Sequence, residues 1–218
     1  MEWIKEPPFW YRFLKRTFDI IFSSVALVLL SPVLLLIAVL IKLTSKGRIL
    51  FTQTRIGYHG QPFQSFTFRS MYEFSASDSR IHKEYVKRLL NGDFGQAGEM
   101  PVFKMVNDPR ITSVGKLLRR YSLDQLPQFI NVFLGSMSII GPQPPIRFEW
   151  EGYERRHKQK LSCKPGIAGP WQVDGLPNMT FDEMVKMELY YVNHQSFSLD
   201  LKIFFKTVLL AFTGRSKK

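Results

Sequence analysis

With a single cysteine, Cys163, among 218 residues, the chain has no internal disulfide to staple it, and the lone thiol fits a reducing compartment. Acid is scarce as well. Eighteen Asp and Glu against thirty Lys and Arg leave a formal charge of +12 and a pI near 9.9, which calls for an anionic partner such as acidic lipid headgroups, a nucleotide or nucleic acid. The four histidines (His59, His82, His157, His194) stand far apart, without the close ligand pair of a structural zinc site. Internal repeats, low-complexity tracts, a Walker A motif and a dinucleotide glycine fingerprint are all missing. The helix-turn-helix, RNA-recognition and zinc-finger patterns are missing too, so nothing specific accompanies the charge to favour nucleic acid.

Aromatics are plentiful, 14% of the chain with 19 Phe, which suits a membrane interface. A basic, aromatic N-terminus leads into an apolar run at residues 20–41, broken only by Ser23, Ser24, Ser31 and Pro32. As one straight helix, about 22 residues reach roughly 33 Å, enough for a bilayer core. Pro32, however, frees the carbonyl of Val28, so a kink is expected there, with Ser31 available to bond the freed group. Both flanks are basic: Arg12, Lys15 and Arg16 before, Lys42, Lys46 and Arg48 after. The positive-inside rule is best met if both ends stay cytoplasmic. The residues alone leave a single span and a helix-break-helix that enters and leaves one leaflet about equally supported. A cleavable signal peptide is disfavoured, because the run is long and no small-residue cleavage site follows it.

Residues 49–71 alternate apolar and polar around a turn at residues 58–61 and read as a β-hairpin. Residues 75–100 are polar, with a short exposed helix expected at residues 82–91, and Asn107-Asp108-Pro109 reads as a turn. Residues 148–164 read as one charged amphipathic helix, and residues 181–191 as a helix with Thr180 at the N-cap and Glu183 completing a capping box. Residues 198–212 carry more large apolar side chains than one helix face can bury in water, so docking on the membrane or on the apolar hairpin is expected. The whole is an α+β fold: a membrane segment at residues 1–48, then a mainly helical domain at residues 49–218 with a small β-hairpin and interfacial amphipathic helices.

Residues 115–145, GKLLRRYSLDQLPQFINVFLGSMSIIGPQPP, concentrate the chemistry. One acid, Asp124, lies between the bases Lys116, Arg119 and Arg120 and a Gly/Pro-rich turn made of Gly141, Pro142, Gln143, Pro144 and Pro145. Pro127 belongs in the first turn of a helix, so a helix is expected to start at residues 122–124 and to carry Leu126, Phe129, Ile130 and Phe133 on one apolar face. Asp124 at such a start is either a cap or a site for an anionic substrate.

This segment resembles the core of the bacterial sugar transferase family, the monotopic phosphoglycosyl transferases, whose pattern runs LR-x-x-SLDELPQ-x-x-NV-x-x-G-x-MS-x-x-GPRP. The matches include Arg119, Ser122, Asp124, Pro127, Gln128, Asn131, Gly135, Met137, Gly141, Pro142 and Pro144. Further matches are Phe51, Gln53, Arg55, Gly57, Gly60, Phe63 and Phe68 to Met71, then NDPRIT, KPGIAG and WQV, so the likeness extends over residues 15–207. It implies transfer of a hexose 1-phosphate from a UDP-sugar to undecaprenyl phosphate with release of UMP, at the cytoplasmic face of the bacterial inner membrane, among its lipids and with Mg²⁺. By the same resemblance Asp124 is the nucleophile, with Asp108 a second candidate. Asp124 and residue 125 hold the metal, and Arg119, Arg69, Arg55, Pro142, Gln143 and Pro144 meet the substrate. Ser31-Pro32 matches the break of the family's re-entrant hairpin. A homo-oligomer remains open. Three positions depart: Thr67 for a Lys, Gln125 for the Glu of the Asp-Glu pair, and Gln143 for the Arg of Pro-Arg-Pro. Gln125 has three readings: a native choice active through Asp124 alone, an introduced Glu→Gln change, or a catalytically inactive member acting as a membrane scaffold.

Overall fold

The computed structural model of the chain describes residues 3–72, 111–175 and 179–213. The helix expected at residues 82–91 and the Asn107-Asp108-Pro109 turn lie outside the described residues.

The apolar run forms two helices, α1 (Phe9–Leu29) and α2 (Ser31–Thr44), bent by 60° at Leu30. The bend follows from proline chemistry. Pro32 has no N–H to give Val28, and the Ser31 hydroxyl donates to that carbonyl instead, at 2.7 Å. Among the described residues no single helix is long and apolar enough to cross a membrane, whereas the bent pair together is. Val28, Leu29, Leu35, Leu36 and Leu43 on this pair are largely exposed.

Two small sheets follow. Strands β1 (Leu50–Ile56) and β2 (Pro62–Phe68) pair antiparallel from Leu50 opposite Phe68 to Ile56 opposite Pro62. The turn between them is the expected one and passes through left-handed His59 and Gly60. Strands β3 (Ser138–Ile140) and β4 (Gly166–Ala168) pair in parallel, Ser138 with Gly166 and Ile140 with Ala168. Gly166 is needed there, because a Cβ on it would lie 2.1 Å from the Gly141 nitrogen.

The intervening helices are α3 (Ser113–Arg120), α4 (Gln128–Leu134), α5 (Arg147–Gly152), α6 (Arg155–Lys158), α7 (Pro170–Asp174), α8 (Phe181–Asn193) and α9 (Phe197–Thr213). Thr180 and Glu183 form the expected capping box of α8. The single helix expected at residues 148–164 is instead three pieces: α5, α6 and a 3-10 turn at Gln159–Ser162. The break is at Tyr153, whose extended backbone turns its ring into a cluster with Trp150, Phe181 and Met184. A continuous helix would carry that ring elsewhere.

α1 and α2 are built into the rest of the chain. Ile37 and Ile41 of α2 share a buried cluster with Phe68 and Leu118, so packing crosses the domain boundary drawn at residue 48. On α1, Asp19 accepts hydrogen bonds from the Ser138 hydroxyl and the Ile139 amide. Asp200 of α9 accepts from Tyr11, Lys15 and Tyr191, each within 2.8 Å, which ties α1, α8 and α9 together. Phe204 of α9 packs on Phe18 and Phe22 of α1, while Phe205 and Leu209 remain exposed. One face of α9 thus docks on α1, the first helix of the apolar pair.

Candidate active site

Asp124 does not start an α-helix. Ser122 takes a left-handed conformation, Leu123–Gln125 form a 3-10 turn, and α4 begins only after Pro127, which is its N-cap. The reason is again the missing proline N–H, which deletes the bond to the Leu123 carbonyl. The chain closes with i to i−3 bonds instead, Leu126 to Leu123 and Ile130 to Pro127. Asp124 is 8% exposed on this turn. The turn packs on β2 and α3, and its Leu123 and Leu126 rest on the cluster of Ile37 and Ile41 from α2. The acid therefore sits where the helix pair meets the rest of the chain.

Arg119, in the last turn of α3, donates its Nε to the Ser70 hydroxyl at 2.9 Å. This brings Arg119, Ser70 and the Asp124 turn into one neighbourhood. Arg69 next to them gives its two terminal nitrogens to Ser45 and Lys46 at 2.7–2.9 Å and so closes the C-terminal end of α2. Arg55 donates to the Pro144 carbonyl at 2.7 Å and to Gln53 at 2.9 Å, and burial pulls its guanidinium below its ordinary pKa. These bonds fix both guanidinium groups in place and use only their terminal nitrogens.

The turn at residues 141–145, which the resemblance assigns to the substrate, is held by the surrounding chain at most of its polar backbone atoms. The Gly141 amide donates to Ala168, the Pro142 carbonyl accepts from Gly166, and the Pro145 carbonyl accepts from Ile56. The Gln143 amide donates to Glu188 Oε1 at 2.7 Å. Pro142 is fully buried, and Gln143 and Pro144 border a narrow cleft that also carries Tyr153, Lys160 and Trp171.

A family model described as bacterial sugar transferase matches residues 10–214. The chain belongs to that family. Exopolysaccharide production protein ExoY of Rhizobium meliloti is 38% identical over 194 residues, covering 89% of this sugar transferase and 83% of that relative. The undecaprenyl-phosphate galactose phosphotransferase of Salmonella typhimurium is 40% identical over 198 residues, 90% of this chain. The UDP-glucose:undecaprenyl-phosphate glucose-1-phosphate transferase of Escherichia coli is 38% identical over 217 residues, 94% of this chain. The sugar transferase spans only 40% and 41% of these two longer relatives.

Two charged residues that the sequence reading did not assign to a site stand beside the turn at residues 141–145. Glu188 and Lys160, 1% and 4% exposed, form an ion pair at 2.8 Å. Burial works to lower the Lys160 pKa, but the Glu188 carboxylate, Tyr153 and Glu149 together outweigh it and hold the ammonium above its ordinary value. A signal for Glu188 was present. Met184, Val185, Tyr191 and Val192 make the buried stripe of α8, and Glu188 occupies the stripe position between them. A carboxylate at an apolar position of a regular helix needs a buried partner.

Proposed function

We propose that this sugar transferase moves a hexose 1-phosphate from a UDP-sugar to undecaprenyl phosphate and so starts assembly of a bacterial surface polysaccharide or glycoconjugate. The observation that carries this reading is the position of Asp124, an acid on a tight turn whose Leu123 and neighbouring Leu126 pack on the buried cluster that Ile37 and Ile41 of the bent apolar helix pair form with Phe68 and Leu118. A reaction between a water-soluble nucleotide sugar and a lipid phosphate has to occur at such a junction. In the first displacement a carboxylate oxygen of Asp124 attacks the sugar-bearing phosphorus, the phosphoanhydride bond to the other phosphate breaks, and UMP leaves with that electron pair. In the second, an oxygen of undecaprenyl phosphate attacks the same phosphorus, and the bond to Asp124 breaks to restore the carboxylate. Covalent catalysis here splits one difficult transfer into two. Arg119, steadied through its Nε by Ser70, is the residue assigned to the substrate phosphates.

Mg²⁺ fits the donor set. Among the described residues no three His, Cys, Asp or Glu side chains gather into a protein-only cage, and Mg²⁺ needs only one or two protein oxygens when substrate phosphates and water complete its shell. The Asp124 carboxylate and the Gln125 side-chain carbonyl would hold it. Bound there, the ion supplies neutralisation of the phosphate charge that each displacement brings together. The test is UMP release on mixing undecaprenyl phosphate with each of a panel of UDP-sugars. Release with one of them supports the reading; silence with all of them contradicts it.

The helix pair is proposed to enter and leave the cytoplasmic leaflet of the inner membrane. Its 60° bend, its exposed leucines and valines and its basic flanks support this. So does Trp3, which stacks on His59 at the tip of the β1–β2 hairpin, at 4.8 Å between rings. Cysteines introduced at Trp3 and Arg48 are expected to react with an impermeant maleimide from the cytoplasmic face only. The native Cys163 is buried, and burial pushes its thiol up to about 12, so background labelling is low. Labelling of either site from the periplasm would establish a true span.

A further inference from the structure

The turn at residues 141–145 has an unusual poverty of donors. Pro142, Pro144 and Pro145 carry no N–H, so Gln143 supplies the only amide proton between residues 142 and 145. The peptide between Pro142 and Gln143 is held at its carbonyl by the Gly166 amide at 3.0 Å, and its one N–H goes to a buried carboxylate of α8, Glu188 Oε1 at 2.7 Å. The other oxygen of the same carboxylate takes the Lys160 ammonium at 2.8 Å. Assembling a charge pair at such depth is expensive, and well-packed apolar side chains of similar volume would fill the space at least as stably. What an apolar pair cannot do is accept the Gln143 N–H.

We infer that Glu188 is a positioning residue for UDP-sugar binding, acting through the Gln143 amide, with Lys160 as the counter-charge that makes a buried carboxylate tolerable there. The assignment rests on the reading of this turn as part of the substrate site. Glu188 touches the turn and not the reacting atoms, so its removal should weaken substrate binding rather than the chemical step.

Single substitutions would leave one buried charge unpaired, and the test therefore uses two neutral doubles. Lys160→Met/Glu188→Gln keeps a side-chain oxygen for Gln143, whereas Lys160→Met/Glu188→Met does not. Both are compared with the full-length wild type in nanodiscs. The Met/Met double is expected to raise KM for the UDP-sugar about tenfold with kcat and the KM for undecaprenyl phosphate nearly unchanged, and the Met/Gln double to restore KM to within about threefold of wild type. Hydrogen exchange at the Gln143 amide should be faster by about tenfold in Met/Met only. If Met/Met does not fold, Lys160→Met/Glu188→Leu makes the same comparison. Equal KM values in folded wild type and both doubles would overturn this assignment alone. A wild type that releases no UMP would overturn the proposed function and the assignment with it.

Discussion

Asp124→Asn should leave a folded protein that no longer turns over. Asparagine keeps the shape of the side chain on its 3-10 turn and one of its acceptor oxygens, so the packing of Leu123 and Leu126 on α2 is undisturbed and stability should stay within about 1 kcal/mol. The amide lacks the charge and the lone-pair basicity of a carboxylate and cannot form the acyl phosphate. Loss of a covalent nucleophile removes the whole stepwise route, and UMP release is expected to fall by at least about a thousandfold, some 4 kcal/mol of barrier. Initial rates of UMP formation, with a thermal melt as the folding control, read the effect. Substantial turnover by a folded Asn variant would move the chemistry to another acid, and Asp108 in the NDPRIT segment would be the next to replace.

The second large effect is a gain. Gln125 stands where the resembled family pattern has Glu, and it follows the nucleophile directly on the same turn. A carboxylate in place of the amide would give the proposed Mg²⁺ site a second charged oxygen ligand. A charge-assisted contact of this kind contributes about 1.5–3 kcal/mol, or roughly ten- to a hundredfold in rate if it acts in the transition state. Gln125→Glu is therefore expected to raise turnover by at least about tenfold and to lower the Mg²⁺ concentration for half-maximal rate. Gln143→Arg, added to it, restores a second of the three departures. The cleft beside residue 143 carries Glu149 besides the Lys160–Glu188 pair, so the new guanidinium finds one carboxylate there that Lys160 does not neutralise. Equal rates in all three proteins across a Mg²⁺ titration would mean that Gln125 is a sufficient native choice. Inactivity of all three would favour the scaffold reading.

How much of this could be read from the sequence depends on how local the cause was. The bend at Leu30 was legible because one proline and the serine before it determine both the break and its repair. The capping box of α8 was legible for the same reason, two residues three apart. Pro127 shows the limit of such rules. Proline is tolerated through a helix's first turn, and the sequence does not reveal that this one ends a 3-10 turn and caps α4 instead. Strands β3 and β4 were missed because three residues carry no periodicity and their partners lie 28 positions apart, Ser138 with Gly166. Arg55, Arg69, Lys160 and Glu188 look like surface charges until tertiary contacts give each a buried partner.

Mass spectrometry of the protein after incubation with its UDP-sugar in the absence of lipid acceptor addresses the covalent mechanism most directly. The account predicts that the chain gains the mass of one hexose phosphate on a peptide containing Asp124 as UMP is released, and that adding undecaprenyl phosphate removes the mark. UMP release only when both substrates are present, from a chain that is never modified at Asp124, would contradict it.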